Sequence, residues 1–150
     1  AVNVTGIANT FAPFLPAMTS PGRGTLVGIA SVAGIRGIPG AGAYSASKAA
    51  AIAYLESLRV ELRGTGVGVV TIAPGYIDTP MTRRNPYRMP FLLPADEAAR
   101  RMLRVIERRA AFAVVPWQMG FVGKVLRWLT IPVFDRLFAR AGRKPRGEGL

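Results

Sequence analysis

The sequence predicts an α/β fold: a three-layer sandwich of about three parallel strands with helices on both faces. Three observations carry this. Apolar, β-branched runs recur at 25–31, 67–73 and 111–115. Helical patterns separate them, at 43–63 and 95–109. Glycine and proline punctuate the joints. Alternating strands and helices imply parallel strands joined by crossovers. At 150 residues, half of them apolar, one domain with a substantial core is expected.

Each element follows from its residues. Residues 1–18 read as a helix running to about Phe14, with Pro16 near its end. Ser20-Pro21-Gly22-Arg23-Gly24 is a turn. The strand at 25–31 ends on Ser31, and a glycine-rich loop fills 34–42. The helix at 43–63 is rich in alanine, a strong helix former, and stops at Gly64. The run at 67–73 is β-branched and apolar, as in a strand buried on both faces. Residues 76–95 form a long loop or partly helical insert containing four prolines. Beyond the strand at 111–115, helical pieces are predicted at 117–129 and 133–141, then a polar basic tail from Gly142. We divide the chain into a catalytic part, 1–116, and an amphipathic helical extension with its tail, 117–150, of the same domain.

Tyr44 and Lys48 stand four apart at the start of the 43–63 helix, so they share a face. A neighbouring ammonium favours phenolate and draws a tyrosine toward the range of an acid/base catalyst. Ser31 lies at the carboxyl end of a strand, the edge where open α/β sheets bind ligands. Its hydroxyl suits a carbonyl or alcohol oxygen. Each residue also has a plainer reading. Ser31 can cap a strand end, Asn3 can face solvent, and Thr79 before Pro80 can belong to a turn.

The ordered set is more specific than any member. Asn3-Val4-Thr5-Gly6, Ile29-Ala30-Ser31-Val32-Ala33-Gly34, Tyr44-Ser45-Ala46-Ser47-Lys48 and Pro74-Gly75-Tyr76-Ile77-Asp78-Thr79-Pro80 follow one another at suitable spacings. Together, over residues 1 to about 82, they resemble the short-chain dehydrogenase/reductase family. The resemblance implies a Rossmann-type sheet and an NAD or NADP cofactor, with NADPH the favoured form. It makes Tyr44 the proton donor or acceptor. Lys48 then binds the nicotinamide ribose hydroxyls and lowers the tyrosine pKa. Ser31 orients the substrate oxygen, and Asn3 positions a water of the proton relay. Pro74, Gly75 and Ile77 line the nicotinamide, and Thr79 bonds its carboxamide.

The glycine-rich strand–turn–helix unit that cradles a pyrophosphate is not among these motifs. Gly64-Thr65-Gly66-Val67-Gly68 runs from helix to strand, the wrong order for a phosphate loop. It reads as a helix C-cap plus turn. We therefore expect a C-terminal portion of a longer enzyme, inactive by itself. An inactive truncated remnant is the alternative.

Composition limits the chemistry. Without cysteine or histidine, disulfides and thiolate or imidazole metal sites are excluded, and acid/base work falls to tyrosine, lysine, carboxylate or serine. The eight carboxylates are scattered with no metal-ligand spacing. Residues 1–80 carry five basic and three acidic side chains, net +2; residues 81–150 carry fifteen and five, net +10. At 94–109 this reads as a solvated arginine face, with Asp96 and Glu97 in the first turn suiting the helix dipole. The segment 117–141 interleaves Trp117, Phe121, Trp128 and Phe134 with Lys124, Arg127 and Arg136. Such a helix can cover an apolar pocket or lie on a membrane surface. We expect it to cover the substrate side. The expected partners are a small apolar carbonyl or alcohol substrate, a second copy through helices 1–15 and 43–63, and peripheral membrane contact. No RNA-binding motif accompanies the charge, so nucleic acid is not read as a partner. A cytoplasmic location, peripheral to the membrane if the extension touches it, follows from the same reading.

Overall fold

The computed structural model describes residues 3–85 and 88–139. Three parallel strands form its main sheet, in the order β1 (Gly24–Ile29), β2 (Val67–Pro74), β5 (Phe112–Val115). Leu26 lies beside Val69, and Ile72 beside Ala113. Helix α3 (Gly42–Glu61) connects β1 to β2, and α4 (Ala95–Glu107) leads into β5. A small second sheet pairs β3 (Ile77–Asp78) with β4 (Leu93–Pro94), also in parallel. The 76–95 insert is therefore pinned at both ends, with one 3-10 turn at Thr82–Arg84 between.

Strand β2 is the centre, and alternate side chains feed two cores. Val67 and Val69 pack with Leu55, Leu58 and Leu62 of the α3 region and with Phe11. Val70 and Ile72 pack with Ala98, Val115 and Leu93, and with Met102, Val105 and Ile106 of α4. Burial on both faces explains why this strand carries no polar alternation. Ala51, Leu55, Leu58 and Leu62 recur at helical spacing, so one face of α3 closes the first core. Gly28 lets α3 approach: a Cβ there would lie 2.2 Å from Leu55 Cδ1.

The first helix differs from its prediction. It splits into α1 (Thr5–Phe11) and α2 (Phe14–Thr19). Pro13 lacks the N–H that would continue α1. Pro16 sits in the first turn of α2, where no helical donor is required, so it helps start a helix rather than end one. Strand β1 also stops two residues early, at Ile29, although Ala30 N still donates to Ile72 O at 2.7 Å. Gly64 and Gly66 have φ of +85° and +80°, as a helix stop and turn require.

Two further helices follow β5: α5 (Trp117–Trp128) and α6 (Ile131–Phe138). Helix α5 packs on β5, with Gly120 against Val114. The tail expected from Gly142 and the end of the 133–141 helix lie outside the described residues.

Candidate active site

Ser31 leaves β1 with extended backbone and caps the short 3-10 turn Val32–Gly34. It is 7% exposed. Its Oγ accepts from Ala33 N at 3.2 Å, which leaves the hydroxyl hydrogen to donate to a substrate oxygen. The turn is closed by Gly34 N to Ser31 O at 2.9 Å and Ile35 N to Val32 O at 3.1 Å.

Tyr44 stands in the first turn of α3, 44% exposed. Lys48 is one turn further on the same face. Its Nζ donates to Ile29 O at 3.0 Å and lies 5.9 Å from the Tyr44 ring centroid. Burial lowers the Lys48 pKa below the usual lysine value. Because Ile29 is two residues before Ser31, this bond ties the Tyr44–Lys48 face to the end of β1.

A second contact fixes the same junction. Gly34 packs on the backbone of α3, where a Cβ would lie 2.7 Å from the Lys48 carbonyl carbon. Only glycine lets the Ser31 turn sit this close to the helix. Ser45, buried beside Tyr44, accepts from Ile38 N at 3.2 Å and fastens the far end of the loop. Asn3 joins through Ser47: its Nδ2 donates to Ser47 Oγ at 3.1 Å, and Ser47 Oγ donates to Tyr44 O at 2.8 Å. Asn3, Ser31, Tyr44 and Lys48 thus gather where β1 ends and α3 begins.

The remaining predicted residues line the end of β2. Gly75 N donates to Val115 O at 2.8 Å. A Cβ on Gly75 would lie 2.8 Å from Met119 Cγ, so α5 seats this turn. Ile77 pairs with Leu93. Thr79 shares a turn network with Thr82, their hydroxyl oxygens 3.1 Å apart and Thr79 N donating to Thr82 Oγ1 at 2.9 Å.

Sequence reasoning missed Gly34, Ser45, Ser47 and Met119. Gly34 closes a quoted motif, and its lack of a side chain was the available signal. Nothing local marks Met119 as the neighbour of Gly75.

The α/β sheet carries a serine at one strand end and a Tyr-x-x-x-Lys helix beside it, the arrangement expected from the motifs. A sequence profile described as short chain dehydrogenase matches residues 1–89, and the chain belongs to that family. It is 45% identical over 133 residues to a protein of Myxococcus xanthus named an uncharacterized oxidoreductase, covering 89% of this chain and 53% of that one. It is 40% identical over 85 residues to the 3-oxoacyl-[acyl-carrier-protein] reductase FabG of Thermotoga maritima, covering 57% of this chain and 35% of that protein. A short chain dehydrogenase from Burkholderia cenocepacia, solved in complex with NADP, superposes with a TM-score of 0.78 at 29% identity. The match covers 91% of this chain and 56% of that one. The chain spans about half the length of the curated relatives it matches.

Proposed function

We propose that this chain forms the proton-handling half of an NAD(P)-dependent oxidoreductase acting on a carbonyl or alcohol. The observation that carries this is the Lys48 ammonium. It is held on Ile29 O between the Ser31 strand end and the Tyr44 helix turn.

The residues present suit a nicotinamide nucleoside. Lys48 has three N–H donors, of which one is used on Ile29 O, leaving two for ribose hydroxyls. Pro74, Gly75 and Ile77 offer an apolar wall, and Thr79 a hydroxyl for a carboxamide. The bound nicotinamide supplies the hydride. Ser31 and Tyr44 both donate to the substrate oxygen on which negative charge builds during reduction. Tyr44 then delivers its proton to that oxygen; in the oxidative direction it takes one back. Asn3, through Ser47, fixes the helix start that carries the phenol.

The cofactor is NAD or NADP. The NADP complex of the Burkholderia relative favours the phosphorylated form. The substrate is a small apolar carbonyl or alcohol; the likeness to a 3-oxoacyl-[acyl-carrier-protein] reductase supports a carbonyl. In the complete enzyme, Tyr44→Phe lowers kcat by about 10²–10⁴-fold with the fold intact by circular dichroism. A Tyr44→Phe enzyme with near-normal kcat would remove Tyr44 as proton donor.

A second reading concerns location, and a surface of α5 favours it. Trp117, Phe121 and Trp128 are 71%, 67% and 87% exposed. They share the helix with Lys124 and Arg127, and α5 has no acidic residue. Exposed aromatics beside cations suit the interface of an anionic membrane. Among the described residues, no helix is long and apolar enough to cross a membrane. Co-sedimentation with phosphatidylglycerol-containing vesicles, lost in high salt and in Trp117→Ala/Trp128→Ala, is expected. No more binding to anionic vesicles than to phosphatidylcholine alone would reject it.

A further inference from the structure

We infer that Arg36 is a positioning residue that ties the Ser31 turn to the C-terminal helix pair. The inference rests on the oxidoreductase reading above for its consequence and on geometry for its existence. Arg36 lies in the loop that follows Ser31, 90 residues before its main partners. Its Nη1 donates to Leu126 O at 2.9 Å, Leu129 O at 2.8 Å and Arg127 O at 3.2 Å. These carbonyls end α5, where helical partners run out and a cation is favoured. The same guanidinium stacks on α6, its Cζ 4.2 Å from the Phe134 ring centroid. Phe134 in turn stacks on Phe138 at 4.5 Å. One side chain therefore caps α5 and holds α6.

The other end of the tie is short and stiff. From Ser31 to Ile35 the chain is a closed hydrogen-bonded turn, and Arg36 is the next residue. Ile35 also reaches α5, at a glycine: a Cβ on Gly123 would lie 2.6 Å from Ile35 Cδ1. Helix α5 touches the second site segment as well, through Met119 on Gly75. So α5 backs both the serine that faces substrate and the turn assigned to the nicotinamide. Arg36 locks the end of α5 that lies nearest the Ser31 loop. A displacement of α5–α6 would pass to Ser31 through five residues without a flexible joint. The guanidinium plane matters for the ring, while Nη1 alone meets the three carbonyls, its two hydrogens shared among them.

The test uses Arg36→Gln and Arg36→Lys, each read in two ways. Amide exchange by mass spectrometry follows residues 31–36 and 126–138 of the chain. Losing charge-assisted bonds to α5 speeds exchange in both segments together, by about tenfold or more for Gln and less for Lys. Steady-state kinetics of the complete enzyme then show a fall in kcat/KM for carbonyl substrate, on the order of tenfold, with the cofactor KM unchanged. Faster exchange confined to 126–138 would overturn the tie and leave a local helix cap. Joint deprotection with unchanged kcat/KM would overturn its role in the site. If the parent enzyme reduces no carbonyl at all, the oxidoreductase reading fails, and the exchange data still decide whether the tie exists. If the Gln variant does not fold, the Lys variant carries both measurements.

Discussion

Around Ser31 the closest contacts are made by backbone, and Lys48 adds a side-chain bond to them. Gly34 lies on the α3 main chain, Lys48 reaches a strand carbonyl, and the Ser31 turn closes on itself. At α5 and α6 side chains hold the structure: Arg36 on three carbonyls and a ring, Ile35 on Gly123, Met119 on Gly75. Main-chain contacts cannot move aside, whereas side-chain ends can. The first region holds its atoms in place, and the second backs it while presenting an aromatic, basic outer face.

One substitution made in both regions tests this contrast. Gly34→Ala places a Cβ on the Lys48 backbone and should destabilise the chain by about 1–3 kcal/mol, measured by urea unfolding. Gly123→Ala meets only the far end of Ile35, which can rotate. It also gains the helix propensity of alanine over a mid-helix glycine, about 1 kcal/mol. It should therefore be neutral or slightly stabilising. Equal losses at both sites would erase the distinction.

A smaller effect comes from α4, which belongs to neither region. Glu97 bonds Arg101 at 2.7 Å and Arg100 at 3.0 Å, and these bonds lower its pKa from 4.5. A depressed carboxylate pKa gives stability that is present above the unfolded value and is lost as pH falls through the folded one. Lys48, also lowered, contributes a cost rather than a gain, yet stability again rises with pH. Its burial cost is present below its lowered pKa and is relieved as pH rises through it. Glu97→Gln should thus slightly flatten the acid side of the stability–pH curve, below about the ordinary value of 4.5, and salt should remove the difference. A Glu97→Gln curve that departs from wild type only on the alkaline side would contradict this.

The same contrast explains what was legible in the sequence. Tyr44, Lys48 and Ser31 could be placed because helix period and strand ends are local properties. The strand at 67–73 was found within a residue because burial on both faces leaves a β-branched, largely apolar run without polar alternation. The 1–18 helix was misread because its apolar pattern runs through Pro13, whose missing donor decides the break. The pairing of Ile77 with Leu93 had no signal, since two-residue strands carry no periodicity. Arg36 was silent for a different reason: its partners lie 90 to 93 residues away, and a lone loop arginine reads as solvated.

The central claim is that Tyr44 and Lys48 act as one unit, the ammonium working on the rate through the phenol. A double-mutant cycle in the complete enzyme, read as kcat at saturating cofactor, tests it most directly. Tyr44→Phe and Tyr44→Phe/Lys48→Met should have the same residual kcat, because groups that act as a unit are non-additive. Losses that multiply, with the double variant slower than Tyr44→Phe by the full factor of Lys48→Met alone, would show two independent residues and contradict the account.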